Sequence, residues 1–197
     1  MSKKQNEKAI RLLTLGNSMV GKSSIILRYI ENKFYDSYIS TIGVDFFKKM
    51  VNIQKKEYQL HIFDSAGQEK YKSISKQYYH RSEGIMLVFD LTSKSSFDSI
   101  LNWIEDIENG AEKGIPIVLV GNKSDLVDRE VSKEEAEELA SKKGMEYFET
   151  SALDGSGIDN AFLKLAELVI KNEEQKKEAA KGKALTLASE TKEKKCC

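Results

Sequence analysis

Residues Gly16 to Ser23 read G-N-S-M-V-G-K-S, the spacing G-x-x-x-x-G-K-[ST]. Each fixed position answers a physical need. Gly16 and Gly21 allow backbone conformations that a Cβ would block. The loop between them can then wrap a phosphate chain with its own N–H groups. Lys22 brings a point charge to the outer phosphates, and the Ser23 hydroxyl suits Mg²⁺, a hard cation that prefers oxygen. Upstream, Ile10 to Leu15 (I-R-L-L-T-L) is a short apolar run of the kind that forms a buried strand. Downstream, Ser24 to Ile30 carries apolar residues at helical spacing and aims a helix N-terminus at the anion. Strand, glycine loop and helix in that order are the context this motif requires. The competing reading is a plain Gly-rich turn before a helix.

The totals bound the rest. At 197 residues with 40% hydrophobic content, the chain supports one domain with an appendage. Net charge is zero, so no global field argues for nucleic acid, and none is expected as a partner. No run reaches the roughly 18 apolar residues of a membrane span. The N-terminal M-S-K-K-Q-N-E-K lacks the apolar stretch of a secretory signal, so a cytosolic chain is expected. Two cysteines, Cys196 and Cys197, are the last two residues and form neither a disulfide framework nor a metal-ligand set.

Beyond the first helix, Glu31 to Gly43 is polar and aromatic-rich without clean periodicity and reads as a functional loop. Val44 to Ile53 and Tyr58 to Phe63 flank a charged turn at Lys55-Lys56-Glu57 and predict a hairpin. Tyr58, Leu60 and Ile62 share one face. The second strand ends in Asp64-Ser65-Ala66-Gly67-Gln68-Glu69. Asp64 there can hold a cation, directly or through water; Gly67 can bring its N–H close to a ligand; Gln68 has a donor and an acceptor with which to orient a water. From these residues alone, a strand-terminal turn with an N-cap reads equally well.

Gly84 to Phe89 and Ile115 to Val120 are continuous apolar runs, as strands buried on both faces should be. Lys70 to Arg81 suits an irregular helix. Ser95 to Ile107 predicts one helix with Phe97, Ile100, Leu101, Ile104 and Ile107 inward and Trp103 as a core anchor. The second strand runs into Gly121-Asn122-Lys123-Ser124-Asp125. Asn122 and Asp125 at that position suit a polar heterocycle, and a carboxylate favours guanine, which donates from both N1 and N2; taken alone, N-K-S-D reads as a polar turn. Ser132 to Lys143 predicts a helix with a capping box from Ser132 and Glu135, stopped by Gly144. Met145 to Thr150 predicts a strand leading into Ser151-Ala152-Leu153, and a closing helix starts near Gly157. From Lys171 the chain carries eight Lys, five Glu and no aromatic, too polar to order itself by burial, although its first part suits a helical extension. Strands alternating with helices after a hairpin predict an open α/β sheet with ligand loops at the strands' C-terminal ends.

In order and spacing, G-N-S-M-V-G-K-S, Thr41, D-S-A-G-Q-E, N-K-S-D and E-T-S-A resemble a small GTPase of the Ras superfamily. Y-I-S-T-I-G-V-D-F at 38–46, Tyr78-Tyr79 and the terminal Cys-Cys resemble its Rab branch. The likeness covers about residues 9 to 170 and the last two. It implies a P-loop G domain at 9–171: an open six-stranded sheet, mostly parallel with one antiparallel strand, and helices on both faces. Residues 1–8 and 172–197 would be flexible, the latter a hypervariable tail. Lys22 and the backbone of Ser18, Met19, Val20, Gly21, Ser23 and Ser24 would hold the phosphates. Ser23 and Thr41 would bind Mg²⁺, with Asp64 acting through a water. Thr41 and Gly67 would sense the γ-phosphate, Gln68 would orient the attacking water, and 34–45 and 65–80 would be the two switches. Phe34, Tyr38, Lys123, Ser151, Ala152 and Leu153 would join Asn122 and Asp125 around the nucleotide.

The same resemblance implies slow intrinsic GTP hydrolysis, accelerated by an activating protein, in a switch of vesicle traffic. An exchange factor, effectors, an escort protein and a GDP-dissociation inhibitor would be further partners of a monomer. Phe46, Phe63 and Tyr78 would read effectors. Cys196 and Cys197 would take two prenyl groups, anchoring the chain to the cytoplasmic face of intracellular membranes beside a cytosolic pool. Four positions depart from the family pattern. Leu153 replaces the usual Lys, Ser65 the usual Thr, Phe63 the usual Trp, and Ser18 stands where Ras has Gly. Two other readings differ in class: a GTPase-shaped binding module with little hydrolysis, and an ATP-using P-loop kinase or ATPase.

Overall fold

The computed structural model describes residues 8–35, 41, 43–66 and 77–193, with side chains as far as 181. Tyr38, Gly67, Gln68, Cys196 and Cys197 lie outside the described residues. Six strands form one sheet in the order β2-β3-β1-β4-β5-β6. They are β1 (Lys8–Leu15), β2 (Val44–Ile53), β3 (Lys56–Ser65), β4 (Gly84–Asp90), β5 (Ile117–Asn122) and β6 (Glu146–Thr150). Only β2 runs antiparallel, against β3; the other pairings are parallel. The five parallel strands therefore end on one edge of the sheet. The hairpin turn is tighter than expected. Gln54 and Lys55 both take left-handed φ (51° and 64°) between the paired Ile53 and Lys56, the twist that joins two strands by two residues.

Alternation along the strands divides the core in two. Ile10, Leu12, Leu60, Ile62, Met86, Val88, Val118 and Val120 face α1 (Lys22–Glu31) and α5 (Ile158–Glu193). There Tyr29 stacks on Phe162 with ring centroids 4.1 Å apart. Leu13, Leu15, Ile85, Leu87, Phe89 and Leu119 face α2 (Lys94–Asp98), α3 (Ile100–Gly110) and α4 (Lys133–Lys142). β4 is buried at every residue, which is why its sequence shows no polar alternation.

Local details differ from expectation. The stretch expected as one helix is two, α2 and α3, separated at Ser99, whose hydroxyl donates to the Ser95 carbonyl at 2.8 Å. The backbone ladder continues across it, from the Ser99 N–H to the Ser95 carbonyl and from the Trp103 N–H to the Ser99 carbonyl, each at 3.2 Å. Leu101, expected inward, is 52% exposed. It lies about 100° around the helix from Ile100, whereas Trp103, Ile104 and Ile107 fall on the buried side. β5 starts at Ile117, one residue after Pro116, whose carbonyl accepts from Ile85 at 2.9 Å. Half of the capping box forms: Ser132 Oγ accepts from the Glu135 N–H at 3.2 Å. The Glu135 carboxylate turns instead to Lys94. The closing helix continues past Lys171 to Glu193. Its sequence there is rich in Ala, Glu and Lys, strong helix formers. An ion pair from Lys8 to Glu173 and another of 2.8 Å from Lys176 to Glu112 fasten the first turns of this extension.

Candidate functional site: a phosphate loop and a base pocket

The chain leaves β1 at Leu15 and turns at Gly16, with φ +138°. A Cβ there would lie 2.1 Å from the Val88 carbonyl oxygen of β4. Gly21 has φ +92°, and its Cβ would lie 2.3 Å from Asn122 Nδ2. The two glycines are thus required by the neighbouring strand and loop as well as by any ligand. Between them Met19 also adopts a left-handed φ of 64° with its side chain 65% exposed. Val20 turns its carbonyl to Asn122 Nδ2 at 2.9 Å.

Lys22, the first residue of α1, is only 5% exposed. Its ammonium donates to the carbonyls of Gly16 (3.0 Å) and Asn17 (2.7 Å). Burial lowers its pKa to about 8, partly opposed by the Asp64 carboxylate. At the end of β3, Asp64 is 1% exposed. Ser23 Oγ donates to its Oδ2, and Thr41 Oγ1 lies 3.3 Å from the same oxygen and 2.8 Å from Ser23 Oγ. Asp64 Oδ1 is buried with no hydrogen-bond partner among the described residues. Burial raises the Asp64 pKa against the hydrogen bond from Ser23 and the nearby Lys22. Two hydroxyls and a carboxylate with an unspent oxygen make a hard-donor set of the type Mg²⁺ takes. The residues present fit that ion.

The ends of β5 and β6 build a second pocket beside the first. Asn122 is buried, and Thr150 Oγ1 donates to its Oδ1 at 3.2 Å while its Nδ2 holds the Val20 carbonyl. The amide still has one N–H and one lone pair to spend. Asp125 is exposed, and one of its oxygens accepts from Ser151 Oγ at 2.5 Å. Lys123, left-handed at φ 66°, pairs with Asp90 at 2.5 Å. Arg28 of α1 donates through Nε to the Ala152 carbonyl at 2.8 Å and through Nη2 to the Leu153 carbonyl. The Leu153 side chain is 50% exposed, and Phe34 stands exposed beyond α1. The structure thus gathers Gly16, Lys22, Ser23, Thr41 and Asp64 in one cluster and Asn122, Lys123, Asp125, Ser151 and Ala152 in its neighbour, with Asn122 joining them.

Apart from both, Phe46 and Phe63 lie 5.1 Å apart and Phe63 and Tyr78 5.2 Å apart, centroid to centroid. These three do form one aromatic group, and His61 adds an edge contact to Phe46 at 5.2 Å. Sequence reasoning missed His61, Arg28 and Thr150. It also missed that Trp103, a core anchor as expected, donates its indole N–H to Asn17 Oδ1 at 2.8 Å. A buried Trp needs a partner for that donor, and this was the one available signal.

A glycine loop between a buried strand and a helix, a buried lysine and a hard-oxygen cluster define a P-loop nucleotide-binding protein. Comparison with known proteins narrows the class. The Ras family pattern matches residues 11–171. The chain is 40% identical to Ras-related protein Rab-15 of Homo sapiens over 182 residues, 92% of this chain and 86% of that protein. It is 43% identical to Ras-related protein Rab-13 of Bos taurus over 161 residues, 81% of this chain and 79% of that one. To Ras-related protein Rab-4 of Dictyostelium discoideum it is 41% identical over 162 residues, 82% and 79% of the two chains. The chain belongs to the Ras family, in its Rab branch. It is a small GTPase, a GTP-binding and GTP-hydrolysing switch that regulates vesicle traffic. GTP, GDP and Mg²⁺, regulators and effectors, and association with intracellular membranes belong to this family in general. Among the described residues no helix is long and apolar enough to cross a membrane.

Proposed function

We propose that the GTPase cycle runs on the residues gathered at the ends of β1, β3, β5 and β6. The observation that carries this is the buried Lys22 ammonium beside the Ser23–Thr41–Asp64 oxygen cluster. Lys22 and the backbone N–H groups of residues 18–24 hold the phosphates at the start of α1. Mg²⁺ held by Ser23 and Thr41, with Asp64 acting through a water, would supply charge neutralisation between the outer phosphates. Asp125 reads the two donors of the guanine edge, with its carboxylate oriented by Ser151. Asn122 spends its remaining amide valences on the base, Lys123 and Phe34 cover its faces, and Ala152 donates its N–H to the base oxygen. Tyr38, Ser151 and Leu153 complete the surround. Leu153 offers less cover than the Lys common in the family. Gln68 orients the attacking water, and Thr41 and Gly67 respond to the γ-phosphate. Hydrolysis then releases the two switches.

Residues 9–171 are the GTPase domain and 172–197 the tail. Phe46, Phe63 and Tyr78 form the effector-reading group. An exchange factor, an activating protein, an escort protein and a GDP-dissociation inhibitor serve the cycle of a monomer. Prenyl groups on Cys196 and Cys197 supply the two chains that stable anchoring needs, so the protein divides between the cytoplasmic face of membranes and the cytosol. The test is to extract and identify the nucleotide from purified protein, reload GTP with Mg²⁺ and follow a single turnover. Bound GDP and slow, Mg²⁺-dependent hydrolysis, on the order of 10⁻⁴ s⁻¹, is the expected result. Bound adenine nucleotide would overturn the role of Asp125. Gln68→Leu should slow hydrolysis while nucleotide stays bound; unchanged turnover would remove the role given to Gln68.

A further inference from the structure

We propose that Trp103 of α3 and Ser99, which joins α2 to α3, are positioning residues that retain nucleotide by fixing Asn17. The inference rests on the reading of Lys22 as the phosphate-holding lysine. Three hydrogen bonds form a directed chain. Ser99 Oγ donates its only proton to the Ser95 carbonyl at 2.8 Å. It is thereby left to accept from Asn17 Nδ2 at 3.0 Å. The Trp103 indole, which can only donate, gives its N–H to Asn17 Oδ1 at 2.8 Å. One orientation of the Asn17 amide satisfies both neighbours and the opposite one satisfies neither. Asn17 is therefore locked, and with it the carbonyl that accepts from Lys22 Nζ at 2.7 Å.

That carbonyl matters because Lys22 is buried. Its buried N–H groups need fixed acceptors, and Gly16 and Asn17 provide them. Gly16 is held from one side by the close backbone of β4. The Asn17 side chain is held by Ser99 and by Trp103 of α3. Ser99, where α2 passes into α3, serves this arrangement because its hydroxyl's bond to the Ser95 carbonyl sets the polarity of the chain. An Asn at this loop position, a Trp in α3 and a Ser at the junction thus act as one device. Its effect is to hold the phosphate lysine still.

The test measures release of N-methylanthraniloyl-GDP from the full chain in Mg²⁺. Trp103→Phe keeps the buried ring and deletes the donor; Asn17→Leu deletes both side-chain bonds. Each should speed release about fivefold, the rate equivalent of one hydrogen bond. The double variant should be no faster than Asn17→Leu alone, because both changes act through one link. Asn17→Asp, which keeps an acceptor under the indole, should recover most of the retention lost in Asn17→Leu. Ile104→Val, a core change on the same helix, should lower the melting midpoint yet leave release at the wild-type rate. Wild-type release from Trp103→Phe, or additive effects in the double variant, would overturn the proposal. Should Trp103→Phe fail to fold, Ser99→Ala decides in its place, with about threefold faster release expected and the wild-type rate overturning it. If Lys22→Ala holds GDP as tightly as wild type, the reading of Lys22 falls, and this inference with it.

Discussion

At the residue scale, the buried polar side chains carry the most information. Asn122 is a hub: its oxygen takes the Thr150 hydroxyl, and its nitrogen ties the base loop to Val20 of the phosphate loop. The N-K-S-D spacing pointed to a base-reading asparagine. It gave no sign that the same amide would brace a second loop, because Val20 is 102 residues away. Thr150→Val keeps the shape and removes one bond to a buried amide. It should cost about 1–3 kcal/mol in denaturant unfolding and should also speed GDP release, since Asn122 loses its orientation. Asp64 is a similar case. From sequence it was either a cation ligand or an N-cap. Its burial, its two hydroxyl neighbours and its unspent Oδ1 are what favour the ligand.

Among the elements, the joins between helices and loops decide how firmly the site is held. Arg28 reaches from α1 to the carbonyls of Ala152 and Leu153, so one helix supports both the phosphate end and the base end of the pocket. Arg28→Met retains the aliphatic stem and removes both bonds. A rise of about tenfold in the GDP dissociation constant is expected, about 1.4 kcal/mol, measured by displacement of labelled GDP. On β6, Glu149 accepts from Arg129 and from Tyr147. The Arg129 hydrogen bond holds its carboxyl below the usual range. A carboxylate whose pKa is depressed by folding adds stability above its unfolded pKa, and loses it as pH falls through the lowered value. Glu149→Gln should therefore lower the melting midpoint at pH 7 and narrow its gap to wild type as the pH drops below about 4.

For the whole molecule, the sheet order places all five parallel strands with their C-terminal ends together. That is why motifs spread from residue 16 to residue 153 converge. The closing helix leaves the core at Ile170, and its next turns are tied by Asn172 to the Gly114 carbonyl and by the Lys8–Glu173 and Lys176–Glu112 pairs. Ending the chain after Lys181 keeps all of these. The melting midpoint and GDP affinity of such a variant should match the full chain. A lower midpoint would place part of the folded unit beyond 181. Removing only Cys196 and Cys197 should leave folding and nucleotide binding intact while the protein moves wholly to the soluble fraction in cells. Continued membrane association would remove the anchor assigned to those cysteines.

The sequence by itself determined the architecture and the two pockets. Apolar runs long enough to be buried strands, separated by glycine, serine and proline punctuation, leave few ways to arrange α/β units. The phosphate motif then fixes which strand end bears the ligand. Local spacing could also say that Ser132 caps a helix, since cap and recipient lie three residues apart. Only the tertiary structure decided the bracing. Trp103 to Asn17, Arg28 to Ala152 and Asn122 to Val20 span 86, 124 and 102 residues, and no local periodicity records them. It also decided that Gly16 and Gly21 answer to Val88 and Asn122 as well as to a ligand. The physical reason is the same in each case. Hydrophobic pattern acts along the chain, whereas a buried donor or acceptor is satisfied by whatever the fold brings beside it.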